Sequence, residues 1–288
     1  MEPINKQTFS QKMKAYGRSP LSLVLMLLVT ISAALTVLTL LFLVAYILIK
    51  GVPYLTPSLF AWEYNSENVS LMPALINTII MTFLSLLIAG PLGIFAAIYL
   101  VEYAKRGNKL VAVIRVTAET LSGIPSIVYG LFGFLLFAVT FGWSYTIMGG
   151  ALTLAIMILP LIMRTTEEAL KSVPDSFREG SFGLGAGRLR TVFKIVLPSA
   201  VPGILAGIIL AVGRIVGETA ALMYTAGTVA GVPSNLMSSG RTLAVHMYVL
   251  TNEGLYTNQS YATAVVLLVI VVGINAVSGL IAKRIAKG

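Results

Sequence analysis

Six stretches of the chain are apolar enough to lie in a bilayer, with polar residues gathered between them. A hydrocarbon core of about 30 Å takes about 20 helical residues at a rise of about 1.5 Å each. The first stretch, residues 21–49, carries no charge and stops before Lys50. It outruns the roughly 7–15 apolar residues of a signal peptide, so the pattern predicts a retained, tilted helix. Further spans are expected over residues 75–101, with Pro91 inside, and over 114–141, interrupted at Pro125. The remaining three are 147–163, 201–225 and 261–282. Pro91, Pro125 and Pro160 are candidate kinks that would let the helices bend. Between the spans, residues 51–73 and 226–260 are rich in Asn, Ser, Pro and Tyr. Asn68-Val69-Ser70 and Asn258-Gln259-Ser260 fit the glycosylation sequon, a short match that chance often produces.

Composition agrees with this pattern and removes other classes. Hydrophobic residues make up 57% of the 288, charged residues only 11%, and the mean hydropathy is +0.90. A soluble domain carries about 25% charged residues, so this chain cannot furnish a water-facing surface of ordinary polarity. Cysteine is absent, which excludes disulfides, thiol nucleophiles and Cys-based metal sites. His246 is the only histidine, and no G-x-x-x-x-G-K-[ST] phosphate loop occurs. Neither a catalytic triad nor a paired-carboxylate or metal constellation can be assembled, which disfavours an intramembrane enzyme.

The net charge of +9 is a topology signal rather than a nucleic-acid footprint. Lys6, Lys12, Lys14 and Arg18 precede the first span. Lys105, Arg106, Lys109 and Arg115 lie at the junction of the second and third. Arg164, Lys171, Arg178, Arg188, Arg190 and Lys194 lie between the fourth and fifth, and Lys283, Arg284 and Lys287 follow the sixth. An even number of spans puts all of these on one side, which the positive-inside rule makes cytoplasmic together with both termini. Glu102, beside Lys105 and Arg106, reads as a solvated loop charge, and Glu119 as an interfacial one.

The longest polar stretch, between spans four and five, predicts two short surface helices. Thr165 with Glu168, and Ser176 with Glu179, are spaced as capping boxes. Glu167 and Lys171 are an i, i+4 pair worth about 0.3 kcal/mol on an exposed helix. Gly183, Gly185 and Gly187 mark a stop, and Pro198 leads into span five. Within that span, Gly203…Gly207 and Gly213…Gly217 are small-xxx-small patterns that permit close helix approach. Arg214 and Glu218 lie inside it too, spaced to share a face and pair. An unaided arginine at the bilayer centre costs about 2.5–3.5 kcal/mol, so it will not face lipid alone. The pair is either a structural ion pair or part of an anion pathway, where a guanidinium holds oxyanion oxygens bidentately. Arg164 is read either as a cap or headgroup contact for span four, or as a residue of the inner mouth.

Glu179-Gly180-Ser181, then Gly185, then Ile195-Val196-Leu197-Pro198 resembles the EAA loop of bacterial ABC importer permeases, although its two alanines are here Gly180 and Ser181. The stretches 91–100, 123–130, 164–167 and 213–219 are similar to the PstA family of phosphate permeases, over about residues 70–282. The resemblance implies an all-α integral membrane protein: a six-helix type I importer bundle with a tail at 1–20, a first helix at 21–49, a permease domain at 70–282 and a tail at 283–288. It implies that the loop at 175–198 couples to a separate ATPase through Glu179, Gly180, Ser181, Gly185, Ile195, Leu197 and Pro198. It associates Arg214 and Glu218, with Arg164, with the substrate path. The implied partners are a PstC-like second permease, two PstB-like ATPase copies, a PstS-like extracytoplasmic phosphate-binding protein and membrane lipid, with no nucleic acid. This chain would carry no cofactor, ATP and Mg residing on the ATPase. The alternatives are the paired PstC-type permease, a permease for molybdate or sulfate, and an ATP-independent channel or scaffold.

Overall fold

Residues 20–105 and 107–285 are described by a computed structural model, with side chains through residue 280. Lys6, Lys12, Lys14, Arg18, Arg106 and Lys287, the side chains of Lys283 and Arg284, and most of both tails lie outside the described residues. Residues 1–50 and 51–288 form two compact units.

The described part of the first unit is one helix, α1 (Pro20–Gly51). Leu21, Leu28, Leu35, Phe42 and Ile49 are all exposed, and the helix has no polar face. That surface suits lipid on every side. Two of its hydroxyls are satisfied internally: Thr30 Oγ1 donates to the Met26 carbonyl at 2.8 Å and Thr36 Oγ1 to the Ser32 carbonyl at 2.9 Å.

In the second unit, α2 (Met72–Ile98) runs through Pro91 and ends in a π-helical turn, Tyr99–Tyr103. Then come α3 (Lys109–Ser122) and α4 (Ser126–Gly133), the latter prolonged by a π-helical stretch, Phe134–Thr140. The long α5 (Ile147–Ser172) is followed by the short α6 (Asp175–Gly183) and α7 (Arg188–Thr191). Another π-helical turn, Val192–Val196, feeds α8 (Leu197–Val216), and after a break come α9 (Ala220–Thr225), α10 (Leu243–Glu253) and α11 (Thr257–Ile285). Among the described residues five helices are long and apolar enough to cross a membrane, and α3–α4 makes a sixth when counted as one bent span.

Three apolar clusters follow one another along α2. Ala74 packs with Leu59, Leu71, Leu243 and Ala262; Met81 and Ala89 with α5, α8 and α9; Ala97 and Ile98 with Leu170, Val173, Val192 and Val196. The seam between α8 and α5 is close. A Cβ on Gly203 would fall 2.7 Å from Ala169 Cβ, and one on Gly207 would collide with Thr165. The first small-xxx-small pattern therefore sets this seam, whereas Gly213 meets nothing within 4 Å.

Several boundaries depart from the sequence expectation. The fourth span does not stop at Met163, because α5 continues unbroken to Ser172. Thr165 is thus no cap; its hydroxyl donates to the Leu161 and Ile162 carbonyls. The third span bends by 102° at its break, with Pro125 at the start of α4. Pro91 and Pro160 lie inside continuous helices. The Ser176 capping box is also not formed: α6 begins one residue earlier, behind Pro174, without a side-chain cap.

At the end away from α6, residues 52–71 and 227–256 interlock. Tyr256 Oη donates to the Ser66 carbonyl, and Asn77 Nδ2 to the carbonyls of Gly231 and Arg241. The Arg241 guanidinium lies 4.7 Å from the centre of the Tyr64 ring, and His246 meets that ring edge-on. Burial, reinforced by the Arg241 charge and only partly opposed by the Val69 backbone, lowers the His246 pKa from 6.5 to about 3. Between those values the unfolded chain binds a proton that the folded chain refuses, so stability is complete above pH 6.5 and falls toward pH 3. The thermal midpoint of the protein should decline over that window, and His246→Phe should flatten the decline. An unchanged slope in the variant would assign it to other groups.

Candidate functional site

Two helix breaks meet inside the bundle. Gly123, Ile124 and Pro125 separate α3 from α4, and Gly217, Glu218 and Thr219 separate α8 from α9. The second halves pack together: a Cβ on Gly130 of α4 would fall 2.8 Å from Ala221 Cα of α9. At the first break the Tyr129 hydroxyl donates to the Leu121 carbonyl at 2.7 Å, stapling α4 back onto the end of α3. At the second, a Glu218 carboxylate oxygen accepts the Ala221 amide at 3.0 Å and so caps α9. Glu218 is buried at 8% exposure.

The expected Arg214–Glu218 pair is not formed. Arg214 occupies the last turn of α8, but the helix ends before Glu218, which removes the i, i+4 geometry. Among the described residues no carboxylate lies within ion-pair distance of Arg214. Its neighbours Ala211 and Ile215 belong to the central apolar cluster, as does Tyr129 at the first break. A half-buried guanidinium without a counter-ion among the described residues, one turn from a helix break, has donors free for an oxyanion.

Arg164 lies apart from this site. Its Nε is 3.2 Å from Glu168 Oε1 and its Nη1 is 3.9 Å from Glu119 Oε1. These residues line a hollow of about 190 Å³ with Arg115, Glu167 and Lys171. Glu167 is buried, and its Oε1 forms ion pairs with Arg115 Nε at 2.8 Å and Lys171 Nζ at 2.6 Å.

The α6 loop is tied in at defined points. Glu179 and Gly180 are exposed, whereas Ser181 is buried with its Oγ 2.8 Å from Thr191 Oγ1. Gly185 has φ +82°, a left-handed conformation that lets the chain reverse into α7. Ile195 lies within the π-helical turn, and Leu197 and Pro198 open α8. Leu184 at the tip is 92% exposed.

The strongest anchor of the loop is Arg178, which the sequence did not single out. Its Nη2 is 2.7 Å from Glu102 Oε1, and its Nη1 and Nη2 also donate to the carbonyls of Val173 and Leu170. Glu102 is therefore no solvated loop charge; its side chain is 8% exposed and holds α6 to the end of α2. Adjacent Arg178 and Glu179 were the available signal, but nothing local marks a partner 76 residues away. Removing one member of a buried ion pair costs about 3–5 kcal/mol. Glu102→Ala should accordingly raise amide exchange through residues 175–187, and in a double-mutant cycle with Arg178→Ala the second loss should be much smaller. Unaltered exchange would show that the pair does not hold α6.

Residues 89–287 match the family described as binding-protein-dependent transport system inner membrane component. The chain is 38% identical over 226 residues to the probable ABC transporter permease protein YqgI of Bacillus subtilis, covering 73% of this chain and 76% of that one. It is 34% identical over 209 residues to the phosphate transport system permease protein PstA of Mycobacterium leprae, covering 70% and 67%. In fold it is similar to a chain of a bacterial ABC transporter involved in the import of the acidic polysaccharide alginate, with TM-score 0.68, 18% identity, and coverage of 95% and 99%. With its apolar spans, broken helices and exposed short α6, the chain belongs to the inner-membrane permease family of binding-protein-dependent transport systems.

Proposed function

We propose that the chain is a transmembrane subunit of an ATP-driven importer and passes inorganic phosphate through the region around Arg214. The observation that carries this reading is the Arg214 guanidinium itself: it lies within a span, in the last turn before the second break, with no ion pair among the described residues. The relationship to a phosphate transport permease of M. leprae supports phosphate as the anion. A charge placed so expensively in a span has a function by default, and oxyanion recognition fits its donor geometry. Glu218 acts as a positioning group here, holding the start of α9 and with it the second break.

In this reading the α6 end faces the cytoplasm, as do both termini. The loop at 175–198 receives a PstB-like ATPase, present in two copies and carrying ATP and Mg. Glu179 and Gly180 present the docking face; Ser181 and Gly185 set the shape of the turn; Ile195, Leu197 and Pro198 return motion to α8. A PstC-like permease completes the pathway, and a PstS-like binding protein delivers substrate to residues 52–71 and 227–256. Arg164, with its Glu168 and Glu119 partners, sits at the inner mouth.

Uptake of labelled phosphate by the reconstituted complex tests the assignment. Arg214→Ala should abolish uptake while leaving assembly and nucleotide binding intact; normal uptake by the variant would remove Arg214 from the pathway. Competing sulfate or molybdate should not displace phosphate, and displacement would reassign the substrate within the oxyanions. Glu179→Lys should release the ATPase, and retained binding with full transport would refute the docking role.

A further inference from the structure

We propose that the cavity between the α2–α3 turn and α6 is a second anion site, one that takes a phosphate-bearing group at the membrane face. It is separate from the pathway around Arg214, and it rests on the transport reading only in placing this end of the bundle at the cytoplasm.

The cavity is large, about 840 Å³, and its wall is richly basic. The state of each charge decides what it can bind. Arg178 is spent on Glu102, Asp175 and two backbone carbonyls. Arg115 and Lys171 both turn to Glu167 Oε1. The two acids of the wall, Glu102 and Asp175, are themselves held by Arg178. What remains is Lys105, Lys109 and Arg188, three exposed cations with no carboxylate at ion-pair distance among the described residues. Arg188 has only a ring for company, its guanidinium 5.8 Å from the centre of Tyr103.

Three uncompensated positive charges around one hollow raise the local potential and concentrate anions there. Two ammonium groups and one guanidinium suit the oxygens of a phosphate. The position is at the ends of α2 and α3, where a phospholipid headgroup lies within reach, and basic pockets beside spans on the cytoplasmic side recruit such headgroups. Free inorganic phosphate offers the same chemistry from solution. Phe182 of α6 is also part of the wall. An anion bridging Lys105 and Lys109 to Arg188 ties the α2–α3 turn to the start of α7, across the flank of α6.

Direct binding to the purified complex tests this without reference to transport. The complex is placed in nanodiscs of phosphatidylcholine with or without phosphatidylglycerol. Retained lipid is read by native mass spectrometry, and bound phosphate by a radiolabel in the Arg214→Ala background. At least one probe should bind and be lost on raising salt. It should bind roughly a hundredfold more weakly in Lys105→Gln/Lys109→Gln/Arg188→Gln, at about fivefold per charge removed. Retained phosphatidylglycerol identifies a headgroup site, and labelled phosphate identifies a site for the free anion. Should the triple variant fail to assemble, each single exchange should still weaken binding about fivefold. Failure of both probes to bind, or equal binding to the substituted proteins, overturns the proposal. Because uptake is not measured, a pathway assignment that failed would leave this result standing, and the reverse.

Discussion

A hydrocarbon interior offers no partner to a peptide group released from a helix, so each break in a span has to be resolved within the chain. Much of this bundle follows from that constraint. At the first break the amides of Gly123 and Ile124 turn back onto the carbonyls of Thr120 and Leu121, and the Tyr129 hydroxyl takes a further bond to Leu121. At the second, the Gly217 and Glu218 amides close on Gly213 and Ile215, while the Glu218 carboxylate serves the Ala221 amide. Capping α9 occupies Glu218, and this is why Arg214 stands without it. The structural need of the backbone thus separates two opposite charges that sequence spacing alone would unite.

Most of the spans were legible in the sequence, because lipid imposes a simple rule on side chains and the rule acts locally. The breaks were half legible: Pro125 marked the first, whereas Gly213 and Gly217 read only as a packing pattern, and a bend of 102° depends on what packs against α4. The end of α5 was misjudged for a similar reason. Arg164, Glu167, Glu168 and Lys171 read as the end of a span, yet their charges pair with one another and with α3, which lets the helix run on. Glu167 and Lys171 were visible as neighbours one helical turn apart. Arg178 with Glu102 was invisible, since the contact joins α6 to the end of α2 through a fold that had to exist first.

The same charges acquire three meanings by their surroundings. Around Glu167 and Glu102, cations are consumed in holding helices together. Around Arg214 a cation is kept within a span and left with its donors free. Lys105, Lys109 and Arg188 stay exposed to water at one end. Composition fixes only the sum; partition among these conditions is a property of packing.

The seam where Gly203 and Gly207 meet Ala169 and Thr165 has a mechanical consequence. α5 delivers the chain into α6, and α8 receives it after α7, so both roots of the intervening segment spring from one tightly joined helix pair. A force applied to α6 cannot spread those roots without unzipping glycine contacts too close to slide. The segment is thus held at its roots by that seam and on its flank by Arg178 on Glu102, so α5, α8 and the end of α2 all meet at one short helix. The same α8 carries Arg214 and ends at the second break, so the rigid seam and the charged turn lie on one helix.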